Sequence, residues 1–248
     1  MPTSLVKNIV RVYLGVLART RVLRSQSYVV VVSGINGKTT TKRAIYDALK
    51  DRNCNVFMSE MNYNTDIGLP LTILGLTPPP RKAGEWAIAL CKAAMSSLFG
   101  KKLPEFLVVE FGIADKGDMN KLLTVVKPNI TVVTNTHYSD FNPNTTLDEL
   151  AHELSVLAAA TSTRGLVVLG GDNAYVDALR SATKARTVTF GFEKNNDIVI
   201  SKTDETVDGT TILINNKEYT VASSGNNHFY AFTAAQLVSD FIFKKIKE

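Results

Sequence analysis

The stretch Tyr28-Val29-Val30-Val31-Val32-Ser33-Gly34-Ile35-Asn36-Gly37-Lys38-Thr39-Thr40-Thr41 decides the fold. Its first half is a continuous valine run, the composition of a strand buried on both faces. Its second half places two glycines and a lysine where that strand gives way to a helical pattern running through Lys50. Glycines in such a loop let backbone N–H groups turn inward around phosphate oxygens, and the helix N-terminus adds partial positive charge. The segment formed by Gly34, Asn36, Gly37, Lys38, Thr39 and Thr40 is therefore the expected nucleotide site. Lys38 would reach the β- and γ-phosphates, and the Thr39 hydroxyl would serve Mg²⁺. The other reading is an ordinary turn that happens to contain Gly-Lys-Thr; the strand–loop–helix context favours the phosphate loop. Val32 stands where the longer pattern has a further glycine, so this is the short G-x-x-G-K-T variety. A GTPase would also carry an Asn-Lys-x-Asp base-reading motif, which is absent from the sequence, so ATP is the expected nucleotide.

Working outward, Phe106-Leu107-Val108-Val109-Glu110 is an apolar strand ending in a carboxylate. In an open α/β sheet the carboxyl ends of neighbouring strands share one crevice, so Glu110 and Thr39 are expected to meet at one Mg²⁺ ion. Lys38 and Glu110 are accordingly the candidate catalytic pair; capping of the next loop is the structural alternative for Glu110. Further short apolar runs lie at Asn129 to Thr134, Gly165 to Leu169 and Arg186 to Phe190. Helical patterns separate them, at about 85–99, 117–126, 146–160 and 173–183. This alternation predicts an α/β fold, a mostly parallel sheet flanked by helices. From 197 to 222 the texture becomes alternating, with Asp208-Gly209 and Asn215-Asn216 turn signals, which predicts a small antiparallel β-meander. A last helix is expected at 228–246, and Pro78-Pro79-Pro80 marks a surface loop.

The 248 residues are 45% hydrophobic and 21% charged, which excludes a disordered or collagen-like chain and leaves ample material for a core. The net charge of +5 arises where residues 1–27 carry Lys7, Arg11, Arg19, Arg21 and Arg24 without one acidic residue. The remainder is neutral, so a nucleic-acid partner is not expected. Cys54 and Cys91 are the only cysteines and lack metal-ligand spacing, which fits free thiols in a reducing compartment, the cytoplasm by default. Leu5, Ile9, Val12, Val16 and Leu23 recur at roughly helical spacing, so residues 1–27 read as a basic amphipathic helix preceding a domain over 28–248. Packing of that helix on the domain is the expected role, with membrane-surface contact or a transit peptide as alternatives.

Several motifs taken together resemble one family. Gly34 to Thr41 is similar to the short phosphate loop of the Mur ligases, the ATP-dependent amide-forming enzymes of cell-wall precursor synthesis. Asn62-Tyr63-Asn64-Thr65-Asp66-Ile67-Gly68-Leu69-Pro70-Leu71-Thr72 resembles the N-x-N-N-x-I-G-x-P-L-T segment of the MurF type within that family. Val109-Glu110-Phe111-Gly112, Lys116-Gly117-Asp118, Lys127-Pro128 and Val133-Thr134-Asn135 continue the likeness, which spans about residues 28–246. The resemblance implies a central ATP-binding domain. Such a domain activates a carboxylate as an acyl phosphate for attack by an amine. It also implies small-molecule carboxylate and amine substrates, here a UDP-muramoyl peptide and D-alanyl-D-alanine. Asn62, Asn64, Thr65, Asn135 and His137 are then the implied substrate-side residues.

The sequence also departs from that family. The family's metal-binding His falls at Asp140, a hard oxygen donor that suits Mg²⁺. Its carbamylated lysine falls near Leu154, which cannot ligate, while the adjacent Glu153 reads as a solvent-facing carboxylate. On the adenine side, Gly225-Asn226-Asn227-His228-Phe229-Tyr230-Ala231 replaces the family's His by Asn227 and its last Asn by Ala231. Leu169-Gly170-Gly171-Asp172-Asn173 is weakly similar to its N-x-D-D segment. Asp172 and Asn227 are thus nucleotide-side candidates, with a turn or helix cap as the alternative for Asp172. The length leaves no room for the family's UDP-binding and C-terminal domains, so the sequence reads as an excised or truncated piece or as a divergent short homologue, and full ligation is expected to need a partner supplying those surfaces. A noncatalytic nucleotide-binding module within an assembly, and a generic P-loop phosphotransferase, are the competing functions.

Overall fold

The structure is a computed structural model that describes residues 4–59, 63–79, 83–134, 146–206, 209–222 and 225–247. Strand β1 (Tyr28–Ser33) is an interior strand, paired on both edges, and its valines serve both faces of the sheet. Val30 and Val32 pack with Ile45 and Leu49 of helix α2 (Lys38–Asp51), whereas Val29 and Val31 join the opposite layer. β2 (Val56–Met58), β3 (Phe106–Glu110), β4 (Ile130–Val133), β5 (Leu166–Gly170) and β6 (Arg186–Gly191) extend the sheet in parallel. β7 (Ile198–Thr206) pairs parallel with β6 through Phe190 and Gly191, and β8 (Gly209–Ile214) and β9 (Lys217–Val221) follow antiparallel. One nine-stranded sheet results, in the order β2-β3-β1-β4-β5-β6-β7-β8-β9. The β8–β9 turn puts Asn215 and Asn216 at positive φ, the conformation a two-residue hairpin demands and asparagine tolerates.

α2 and the last helix, α8 (Asn226–Lys247), cover one face of the sheet, where Phe229, Ala234 and Val238 pack over the strands. The other face carries α1 (Ser4–Ser25), α3 (Gly68–Ile73), α4 (Ala83–Phe99) and α5 (Asp118–Val125) around β1 and β3. α6 (Leu147–Ala160) and α7 (Val176–Ala182) cover β4 and β5. Thr146 and Glu149 form a reciprocal capping box that starts α6.

Two expectations are corrected. α1 does pack on the domain, but through Leu14, Ala18 and Val22; the stripe of Leu5, Ile9, Val12, Val16 and Leu23 faces outward. Both faces of this helix are apolar, so periodicity alone finds a face without saying which one is covered. Glu153 is not solvent-facing. It is buried, and its carboxylate accepts the N–H groups of Gly117 at 2.7 Å and Met119 at 2.8 Å, holding the start of α5. Those donors lie more than thirty residues away in sequence, beyond the reach of helical periodicity.

Because β1 is flanked by β3 and β4, the chain leaves it toward opposite sides. The crevice at its carboxyl end is therefore the topological switch point where open α/β sheets bind ligands. The loop after β1 and the ends of β3 and β4 converge there.

Candidate active site at the switch point

The loop between β1 and α2 takes its shape from two glycines at positive φ, Gly34 at 134° and Gly37 at 78°. A Cβ on Gly34 would overlap the Thr134 hydroxyl, so a side chain is excluded both by backbone conformation and by contact. Thr134, at the end of β4, braces the loop by donating from Oγ1 to the Asn36 carbonyl at 2.7 Å. Its N–H donates to the Ser33 carbonyl at 2.8 Å, and the Ser33 hydroxyl donates to the Phe111 carbonyl at 3.0 Å. The ends of three neighbouring strands are thereby tied together beneath the loop.

α2 begins without a side-chain cap and without an acidic residue in its first turn, leaving its leading N–H groups directed at the crevice. An open cleft of about 490 Å³ lies over it, lined by residues 35–40 together with Asn64 and Glu110. The Lys38 ammonium folds back over the loop, donating to the carbonyls of Gly34 at 3.0 Å and Ile35 at 2.7 Å. Burial pushes the Lys38 ammonium below the ordinary lysine range, and the negative charge of Glu110 opposes that shift in part.

Glu110 is the hub. Its Oε2 accepts the Thr39 hydroxyl at 2.9 Å and lies 3.4 Å from the Lys42 ammonium; its Oε1 accepts the Asn64 amide at 2.9 Å. The Asn64 carbonyl in turn accepts the Gly112 N–H at 2.9 Å, and a Cβ on Gly112 would come within 2.9 Å of the Asn64 side chain. Glu110 and Lys42 are 3% and 2% exposed, so their charges are placed against one another out of water. A hydroxyl and a carboxylate at hydrogen-bond distance are a hard-oxygen donor set. They fit Mg²⁺, which takes few protein ligands and leaves its other positions to phosphate oxygens and water. Among the described residues no group of three or more His, Cys, Asp or Glu side chains forms a fuller metal cluster.

Lys38, Thr39, Glu110 and Asn64 thus share one cleft with Gly37, Asn36 and Thr40. Thr65 lies next to it in sequence, but its hydroxyl accepts the Gly68 N–H at 3.1 Å and so shapes the turn into α3. Asp172 follows β5, and its carboxylate accepts the N–H of Phe192 at 2.7 Å, the amide of Asn196 at 2.7 Å and the Tyr230 hydroxyl. Burial raises this carboxyl, yet those hydrogen bonds, led by Tyr230, outweigh it and leave it below the usual range. Asn227 is exposed one turn before Tyr230, so the first turn of α8 is fastened to the loop that carries Asp172. Asn62, Asn135, His137 and Asp140 lie outside the described residues.

Lys42, Thr134 and Ser33 have site roles that sequence reasoning did not assign. The only cue was a lysine on the apolar face of α2, four residues after Lys38.

The family model of the Mur ligase middle domain matches residues 32–237. The UDP-N-acetylmuramoyl-tripeptide–D-alanyl-D-alanine ligase of Bacillus subtilis is 26% identical over 204 residues, which cover 82% of this chain and 38% of that protein. The corresponding Synechocystis ligase is 26% identical over 216 residues, 84% of this chain and 40% of that protein. Among solved structures, MurF from Acinetobacter baumannii superimposes with a TM-score of 0.75 at 18% identity, covering 94% of this chain and 47% of that one. MurF from Thermotoga maritima in complex with ADP gives 0.68 at 22%, covering 95% and 49%. The chain spans less than half the length of these relatives. Fold, loop geometry and the extent of the family match agree that the chain belongs to the Mur ligase family, as its middle domain.

Proposed function

We propose that the chain binds MgATP at the switch-point cleft and forms the phosphoryl-transfer centre of an amide ligase acting on a cell-wall precursor. The observation that carries this reading is the Thr39–Glu110 contact of 2.9 Å beneath a loop whose amides and lysine face the same cleft. Lys38 would exchange the Gly34 and Ile35 carbonyls for phosphate oxygens, a trade of neutral acceptors for anionic ones that strengthens each hydrogen bond. Thr39 and Glu110 would hold Mg²⁺, which when bound supplies positive charge opposite the transferring phosphoryl group. Asn64 and Lys42 fix the Glu110 carboxylate from its two oxygens.

The substrate carboxylate oxygen would attack the γ-phosphorus, releasing ADP and forming an acyl phosphate. An incoming amine would then attack the acyl carbon, releasing phosphate and leaving an amide. The ADP complex of the Thermotoga relative supports the nucleotide, and the names of the curated relatives support a UDP-muramoyl tripeptide and D-alanyl-D-alanine as acyl and amine substrates. Two free thiols fit action in the reducing cytoplasm.

A second reading, a noncatalytic MgATP-binding module, is favoured by one observation. Leu154, on α6 at the family's carbamylated-lysine position, is fully buried in the core, and Glu153 is committed to α5. Hydroxylamine trapping separates the two. With MgATP and UDP-muramoyl tripeptide, the ligase reading expects ADP and a hydroxamate in equal amounts; nucleotide binding with neither product would sustain the module.

A further inference from the structure

Helix α1 is fastened in one orientation. Leu14, Ala18 and Val22 are buried beneath it. The Arg21 guanidinium donates to the carbonyls of Ile73 at 2.8 Å and Lys101 at 3.1 Å. That of Arg24 donates to Leu98 at 2.9 Å and Gly100 at 2.5 Å, and the Ser97 hydroxyl reaches the Leu17 carbonyl at 2.8 Å. These bonds close off the carbonyl-rich ends of α3 and α4 and prevent the helix from rolling.

With α1 held so, its other face is apolar and uncovered. Leu5, Ile9, Val12, Val16 and Leu23 are each 56–67% exposed. At about 100° per residue they fall within an arc of roughly 60°, a single stripe along the helix. Neighbouring α4 repeats the pattern, with Ile88, Met95, Leu98 and Phe99 from 54% to 73% exposed. Scattered surface leucines need no explanation, but two such stripes on packed neighbours do. Charge narrows the occupant. α1 has no acidic residue, and the chain's first carboxylate is Asp47. On α1, Arg19 flanks the stripe, about 20° beyond Val12 at helical spacing, whereas Lys7 projects from the opposite side; Lys92, Lys101 and Lys102 lie on or just after α4, against Glu85 as the one acid of that helix. A second copy facing this surface would bring cation against cation. An anionic interface with an apolar interior matches both the stripe and its border.

We infer that the α1–α4 face docks on an anionic lipid bilayer, with α1 lying in the plane of the headgroups. No helix among the described residues is long and apolar enough to cross a membrane, and an in-plane helix needs only its outer stripe in the acyl boundary. The inference is independent of the nucleotide reading.

The test is co-sedimentation of the 248-residue chain with phosphatidylcholine vesicles, with and without about 30 mol % phosphatidylglycerol. Binding is expected only to the anionic vesicles, falling by roughly tenfold or more between about 0.05 M and 0.5 M salt. The double variant I9E/V16E, altered only at exposed positions, should lose binding by roughly tenfold or more, while K184E, an exposed charge change on the loop after α7, should retain it. Circular dichroism and MgATP titration of I9E/V16E should match the parent, which keeps a failure here distinct from a failure of the active-site reading. Equal binding by parent and I9E/V16E, indifference to anionic lipid, or light scattering showing a dimer that I9E/V16E dissolves would each overturn it.

Discussion

Removing the Lys42 ammonium should expose how strongly the active site depends on one buried ion pair. Lys42 Nζ lies 3.4 Å from Glu110 Oε2, with both residues nearly inaccessible. At an effective dielectric of about 20, their attraction is on the order of 5 kcal/mol. Breaking such a pair from one side typically costs about 3–5 kcal/mol, because the surviving charge stays buried. Lys42→Met should fall near the lower end, since Glu110 keeps the Thr39 hydroxyl and the Asn64 amide. Glu110→Gln should also cost about 3–5 kcal/mol, since it leaves the Lys42 ammonium buried without the carboxylate that faces it. The double variant K42M/E110Q removes both charges, so its loss should be smaller than the sum by about 2–3 kcal/mol. Urea unfolding of the four proteins gives the cycle, and K42M alone should lower Tm by roughly 6–12 °C for a domain of this size. Single-variant losses that add to the double-variant loss within about 0.5 kcal/mol would refute the pairing.

Gly34→Ala should weaken MgATP binding by roughly tenfold or more and destabilise the chain by about 1–3 kcal/mol, because its Cβ displaces the Thr134 hydroxyl from the Asn36 carbonyl at a positive φ; unchanged affinity would count against the loop's shape. Asp172 is held below the usual carboxylate range, so the stability it contributes is present above its unfolded value and lost as pH falls through the folded one. Tyr230→Phe removes a donor, moves that folded value upward, and should shift acid unfolding, followed by circular dichroism, to higher pH; coincident acid transitions would show that Tyr230 does not hold Asp172. Thr146→Ala deletes half the capping box of α6 and should cost about 1 kcal/mol in denaturant unfolding, with no effect on nucleotide affinity.

What was legible in the sequence follows from the range of each interaction. The valine run of β1 and the Gly-Lys-Thr turn are local signals, and the buried parallel sheet and its switch-point loop follow from them. The Asn215-Asn216 turn likewise announced the β8–β9 hairpin, though nothing local said that β7 would join β6 in parallel. Lys42 and Glu153 were illegible for a shared reason. A charged residue in a helix reads as solvated, and the partners that make burial tolerable, Glu110 for one and the α5 amides for the other, arrive from distant segments. The two short elements β2 and α3 carry too few residues to show a period. α1 shows the opposite case, a clear period on the face that stays uncovered.

Calorimetric titration of MgATP into the parent chain and into Lys38→Ala tests the phosphate cradle most directly. Saturable one-to-one binding by the parent, weakened roughly tenfold or more when the ammonium is removed, is the predicted result. Equal affinity of the two proteins, or no heat of binding from the parent, would contradict it.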